Sequence, residues 1–216
     1  MSQEKRSVVI SQHQNYKILT IMRQQYSMAF IGGSLLRQES LDVANLYLQL
    51  QDWDLVKEKV IADNILQSKR VSSAKRFTTE IISRLSVLDS EQLEFFVGAS
   101  IQEQAHTLWL AICRRYDFIA EFAVELLHEH YVYLRGEVSQ EDFEAFINKK
   151  SEWHPEIDKL TDSSRNKVRQ IIFRILKQAE ILDKNNQIIS VILSGSMREA
   201  LSINESELLF FPVIGE

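Results

Sequence analysis

The chain has 216 residues, of which 45% are hydrophobic and 25% charged, a balance that fits a folded globular protein and excludes a disordered one. Six Gly and two Pro leave few chain breakers, so long helices are favoured over many short strands. A formal net charge of −5 argues against indiscriminate adhesion to nucleic acid but leaves room for a local basic surface.

Residues 7–22 carry Val8, Val9, Ile10, Tyr16, Ile18 and Ile21, the side chains of a strand. A loop with Gly32-Gly33-Ser34 follows. Ser40 reads as the N-cap of a helix over 41–50, with Leu41, Ala44 and Leu48 inward, and Asp52 as the cap of a helix holding Trp53, Val56, Val60 and Ile61. After a Ser72-Ser73 cap, Ala74, Phe77, Ile81, Leu85 and Leu88 recur at three- and four-residue steps and form one apolar stripe. Asp89 with Gln92 and Ser100 with Glu103 are capping boxes for a short helix ending near Gly98 and a longer one reaching about Tyr116. The run Leu108 to Cys113 is apolar on most sides, which predicts a central helix. A helix over 118–134 comes next.

The linker at Gly136 to Ser139 divides the chain into a helical unit over 1–135 and a second over 136–216. Beyond it lie helices over 140–150 and 164–182 with the Trp153-His154-Pro155 turn between them. Residues 188–193 and 208–213 read as strands around a small helix at 196–202. The expected fold is therefore mainly α: two helical bundles with a small β element near the N- and C-terminal segments.

Charge is segregated along the chain. Lys69, Arg70, Lys75 and Arg76 lie in 64–79 with no acid among them, and Arg165, Lys167, Arg169, Arg174 and Lys177 lie in 163–179, again with none. Residues 137–162 between them hold eight acids and three bases. On a helix at about 100° per residue, Val168, Ile171, Ile172, Ile175, Leu176 and Ala179 share one face and the five bases take the remainder. Such a helix packs by one side and offers cations by the other. Cations at that density suit phosphate, and Arg adds bidentate geometry. These nine residues are the candidate DNA-binding set, set against the plain alternative of a solvated charged face.

Other motifs point to no catalysis or cofactor. Glu103 with His106 and Glu125 with His128 both have the E-x-x-H spacing of di-metal bundles, but Glu103 is already used in a cap and no inward Glu pair is readable on two further helices. Gly32-Gly33-Ser34 matches neither phosphate-loop pattern, and Ser194-Gly195-Ser196 lacks the nucleophile-elbow spacing. Cys113 is the single cysteine, which excludes an intrachain disulfide and suits a cytoplasmic setting. The segment MSQEKRSVVISQHQ has no signal-peptide pattern, and the charge-free stretch Gln24 to Leu36 falls short of the roughly 20 apolar residues of a spanning helix, so no membrane association is expected.

An ordered set of segments carries a family resemblance. The run Tyr26 to Ser40, Ala44 to Leu48 with Asp52-Trp53, Ser72 to Arg76, Gln102 to Gln104 with Leu108 to Ala111, Glu152 to Asp162, and Arg165 to Gln170 together resemble BrxA, over about residues 16–195. BrxA proteins belong to BREX, a bacterial system that methylates host DNA and blocks phage replication. The resemblance implies a mostly helical, NusB-like fold and non-enzymatic binding of double-stranded DNA, with other BREX proteins as further partners. It does not say which residues touch DNA. Two alternatives stay open: a protein-interaction scaffold, suggested by Trp53, Phe95, Phe96, Tyr131, Tyr133, Phe210 and Phe211, and RNA binding, suggested by the fold analogy alone.

Overall fold

The computed structural model describes residues 25–213, and these are mainly helical. The strand predicted over 7–22 lies outside the described residues. After a 3-10 turn at Ala29–Gly32, the chain runs through α1 (Arg37–Leu50), α2 (Trp53–Ala62), α3 (Val71–Leu85), α4 (Ser90–Gly98) and α5 (Ile101–Arg115). Then come α6 (Asp117–Phe122), a π-helical segment (Ala123–His128), α7 (Glu129–Val132), α8 (Gln140–Ser151), α9 (Pro155–Asp158), α10 (Asp162–Gln178), α11 (Gly195–Ala200) and α12 (Glu205–Leu208).

Local chemistry sets many of these boundaries. Asp52 accepts from the amides of Asp54 and Leu55 and so caps α2. Reciprocal capping boxes, Asp89 with Gln92 and Ser100 with Glu103, begin α4 and α5 as their sequences predict, and Ser139 with Asp142 begins α8. Two starts differ from expectation. α1 begins at Arg37, after Leu36 in the left-handed region (φ 57°), so Ser40 is buried inside the first turn instead of capping it. α3 begins at Val71, two residues before Ser73, with no side-chain cap on Arg70. Lys75 and Arg76 consequently sit in the second turn of α3.

α5 is the axis of the fold. Its residues from Gln104 to Cys113 are all buried, and it packs against α1, α3, α4, α6 and α10. Trp109 is fully buried and donates from Nε1 to the carbonyl of Phe210 (2.8 Å), which ties the last described turn to the centre. One continuous apolar cluster includes Val43, Leu85, Leu108 and Phe122 as well as Phe143, Ile172, Met197 and Phe211, so the same core is shared by helices before and after Gly136.

The expected small β element is not present among the described residues. Residues 188–193 are extended, but their amides bond in three directions: Ile188 to Gly136, Ile189 to Ile181, and Val191 to Pro212. Only the isolated bridges Glu137 with Gln187 and Leu182 with Ile188 result. The 208–213 segment closes instead as turns after α12, because Asn204 caps that helix and the Phe210 and Phe211 amides bond back to Glu207 and Leu208. β-Branched and aromatic content there serves core burial, a use that period-2 patterning cannot separate from strand pairing.

Candidate nucleic-acid interface

Helices α3 and α10, distant in sequence, both pack against the Ala29–Gly32 turn. The loop that follows this turn is pinned on both sides. From α10, Gln178 accepts the amide of Leu35 (2.8 Å). From α3, Arg84 donates through Nη1 to the carbonyls of Ser34 (2.6 Å) and Leu35 (3.4 Å). Arg84 is fully buried, and its Nε donates to Glu80 Oε1 at 2.7 Å. Glu80 also accepts from the Tyr116 hydroxyl at 2.8 and 2.9 Å. Burial and the neighbouring Glu80 carboxylate push the Tyr116 phenol up to about 12, so it stays a donor. Gly33 fits closely here: a Cβ would stand 3.2 Å from Arg84 Nη2 and 3.3 Å from Leu36 Cδ1, so a larger residue needs these side chains to shift by a few tenths of an ångström.

The pinned loop forms the floor of a cleft of about 280 Å³ lined by Gly33, Ser34, Leu36, Arg76, Phe77, Lys167, Gln170, Ile171 and Arg174. A cation of the first basic segment thus faces two of the second across one groove. A second cleft, of about 440 Å³, adjoins it through the shared Leu36 and Phe77 and brings in Lys69 and Arg70, with Glu39, Leu66, Gln67, Ser68 and Ser73. Of the candidate set, Arg76, Lys167 and Arg174 therefore line the smaller cleft and Lys69 and Arg70 the larger, with Leu36 and Phe77 in both linings. Lys69, Arg70, Arg76, Lys167 and Arg174 are all exposed. Glu39 is the one carboxylate in the lining of the two clefts.

The other four candidates are placed elsewhere. Lys75 is exposed but lines neither cleft. Arg165 donates to Asn148 Oδ1 (2.8 Å), and Arg169, with 17% of its side chain exposed, lies 3.6 Å from Glu144 Oε1; both thus lean on α8. Lys177 donates to the carbonyl of Lys184 at 3.1 Å. The cationic side of α10 is split by its neighbour: α8 takes the Arg165 and Arg169 edge, and the groove takes Lys167 and Arg174. Sequence reasoning missed Gln170, which a step of three from Lys167 and four to Arg174 puts on the groove edge. It also missed Gly33, Leu36, Phe77 and the buried Arg84.

The groups weighed for metal or catalytic roles have other partners. Glu103 accepts from Ser100 and Ser194. His106 is buried against the edge of Phe211, and His128 Nδ1 is 3.1 Å from the Phe211 carbonyl. Burial alone would raise the Glu125 carboxyl, but the ammonium groups of Lys150 and Lys149 outweigh it and hold the carboxyl below its ordinary value. Lys150 also bonds Glu121, which accepts from the Tyr26 hydroxyl at 2.5 Å, and the Tyr26 ring stacks on His154 at 3.8 Å. This buried network fastens the start of the described chain to α8 and the turn after it. Among the described residues, no group of three or more His, Cys, Asp or Glu is arranged to hold a metal ion, and no helix is long and apolar enough to cross a membrane.

The chain is 26% identical over 153 residues to the BREX protein BrxA of Escherichia coli O9:H4 (strain HS), covering 71% of this chain and 72% of that protein. It is 22% identical over 185 residues to the BREX protein BrxA of Paramagnetospirillum magneticum (strain AMB-1), covering 85% and 93%. Its fold is shared with a crystal structure of an uncharacterized protein from Magnetospirillum magneticum, at a TM-score of 0.77 and 21% identity over 88% of this chain and 98% of that one. The BrxA family model matches residues 24–205, most of the chain, and this protein belongs to the BrxA family.

Proposed function

We propose that this BrxA-family chain is a non-enzymatic component of a BREX phage-defence system that binds double-stranded DNA, chiefly by its phosphates, in the joined clefts between α3 and α10. The observation that carries the reading is the meeting of Arg76 with Lys167 and Arg174 across one groove floored by a pinned loop. Exposed cations on rigid helices meet phosphate without an ordering cost for the backbone, and each contact releases counterions. The absence of acids from both segments keeps the local field positive although the whole chain is acidic. The NusB-like character and cytoplasmic setting suggested by the sequence belong to this same proposal.

The test is binding of the purified protein to a short duplex over a salt series, with duplex RNA as competitor. Five phosphate contacts give a log–log slope of about −4.5. Failure to bind duplex DNA at low salt refutes the reading, and preferential displacement by RNA moves it to RNA. The scaffold reading is favoured by a different observation, exposed apolar side chains: Trp153 at 80%, Leu134 at 91% and Ile192 at 89%. Of the seven aromatics that suggested it in the sequence, Phe96, Phe210 and Phe211 are buried and Trp53 stacks on Tyr47 at 3.9 Å, while Tyr133 is 65% exposed. Co-purification of other BREX proteins after nuclease treatment, lost on Trp153→Ala, supports it.

A further inference from the structure

The two clefts differ in a way that uniform phosphate binding does not use. The smaller, at about 280 Å³, is edged by the cations Arg76, Lys167 and Arg174. The larger, at about 440 Å³, is within the range of sites that enclose a small organic group, about 300–1,000 Å³. Its lining has three distinct parts. Leu36, Leu66 and Phe77 give an apolar floor with one aromatic ring. Gln67, Ser68, Ser73 and Glu39 give hydrogen-bonding groups, and Lys69 and Arg70 give cations. A phosphate alone needs only the last part, and the Glu39 carboxylate would oppose it.

A nucleotide needs all three: a flat apolar face to stack, a base edge to hydrogen-bond, and a phosphate. Glu39, an acceptor only when ionised, suits the N–H donors of a base edge, and the Gln67 amide both donates and accepts. The tight turn at Asn64 to Gln67, both in the left-handed region, carries Gln67 to the cleft, and the Ser68 amide is held by Asn64 Oδ1 at 3.0 Å. The cleft also opens onto the cationic groove through Leu36 and Phe77, and the Arg76 guanidinium stands over the Phe77 ring at 5.1 Å from its centroid. A backbone held at Arg76 thus passes the mouth of the larger cleft.

We infer that the larger cleft receives a single unpaired nucleotide of the bound DNA, its base against Phe77 and its phosphate toward Lys69 and Arg70. This rests on the DNA-binding reading and adds to it a preference for duplex carrying a bulged or mismatched base. An already unpaired base enters without the cost of unstacking and unpairing, which a matched duplex must meet. Stacking on an aromatic side chain favours the site with little regard to base identity.

The experiment measures anisotropy with a matched duplex, and with the same duplex carrying one extra 2-aminopurine, for the wild type, Ser73→Leu and Phe77→Leu. Free dAMP serves as competitor, and thermal melts check the folding of both variants. The expected result is tighter binding of the bulged duplex by about tenfold, with a change in 2-aminopurine fluorescence. Ser73→Leu, which fills the cleft without removing a cation, brings the bulged-to-matched ratio close to one, as does Phe77→Leu. Equal binding of both duplexes by the wild type overturns the nucleotide site and leaves DNA binding standing. A ratio unchanged in Ser73→Leu overturns it too, as does abolition of the preference by micromolar dAMP, which would assign the cleft to free nucleotides. Binding of neither duplex means that the DNA-binding reading itself has failed.

Discussion

Replacing Arg76, Lys167 and Arg174 together by Ala removes the cations that face one another across the smaller cleft while leaving Lys69 and Arg70 in the larger. With five phosphate contacts the slope of log affinity against log salt is about −4.5, and with two it is about −1.8. Between 50 and 200 mM salt, wild-type affinity for duplex DNA then falls about 500-fold and that of the triple variant only about 12-fold. The companion variant Arg165→Ala, Arg169→Ala, Lys177→Ala removes the same formal charge. Its side chains are engaged with Asn148, Glu144 and the Lys184 carbonyl, so its slope stays near the wild-type value. Fluorescence anisotropy on one labelled duplex at five salt concentrations measures both. Equal loss of slope in the two variants would refute the groove, because the protein would then be responding to net charge alone. A steeper loss in the companion variant would move the interface to the α8 side of α10.

Three further outcomes follow from the buried groups of the fold. Arg84→Met leaves the buried Glu80 carboxylate without its ion-pair partner and lowers unfolding stability by about 3–5 kcal/mol in urea titration, whereas adding Glu80→Leu recovers much of that loss. Glu125 is held below its ordinary pKa in the folded state, so its contribution is fully present above pH 4.5 and is lost as pH falls through the lower folded value; Glu125→Gln flattens that acid limb in a series of melts. The Cys113 thiol is buried and pushed up, first by desolvation and then by Glu207, so a thiol-specific chromogenic reagent reacts with it only after denaturant unfolds the chain. Rapid reaction of the native protein would show that α5 opens.

The sequence made α5 visible for a plain reason. A helix surrounded on all sides loses its polar stripe, so Leu108 to Cys113 announce burial without any knowledge of their neighbours. Capping boxes are equally local, since donor and acceptor lie three residues apart, and Ser100 with Glu103 is complete in sequence and in structure. The starts of α1 and α3 were hidden because neither has a side-chain cap to read. The π-helical turn at Ala123–His128 was hidden because one widened turn scarcely disturbs a 3.6-residue pattern. Residues 188–193 misled for a different reason: β-branched side chains record burial in an extended segment, but a strand needs a neighbouring ladder, and these amides bond to Gly136, Ile181 and Pro212 instead.

Charge segregation reached the candidate groove by the same kind of local logic and stopped at the same limit. It identified both basic segments because acids are missing from each. It could not divide the α10 cations, since the division is made by α8, whose Glu144 and Asn148 occupy the Arg165 and Arg169 edge. Nor could it show that the two segments share a groove, because the tie is a buried Arg, a residue type that sequence statistics assign to the surface. Arg84 and Gln178 fix one loop from opposite sides, and that loop sets the spacing between Arg76 and the Lys167 and Arg174 pair. The acidic 137–162 segment has a place in the same account. On α8, its Glu144 lies 3.6 Å from Arg169 and its Asn148 accepts from Arg165, while the lining of the smaller cleft holds no acid. Among the described residues, the two clefts thus gather cations from both segments of a chain whose net charge is −5.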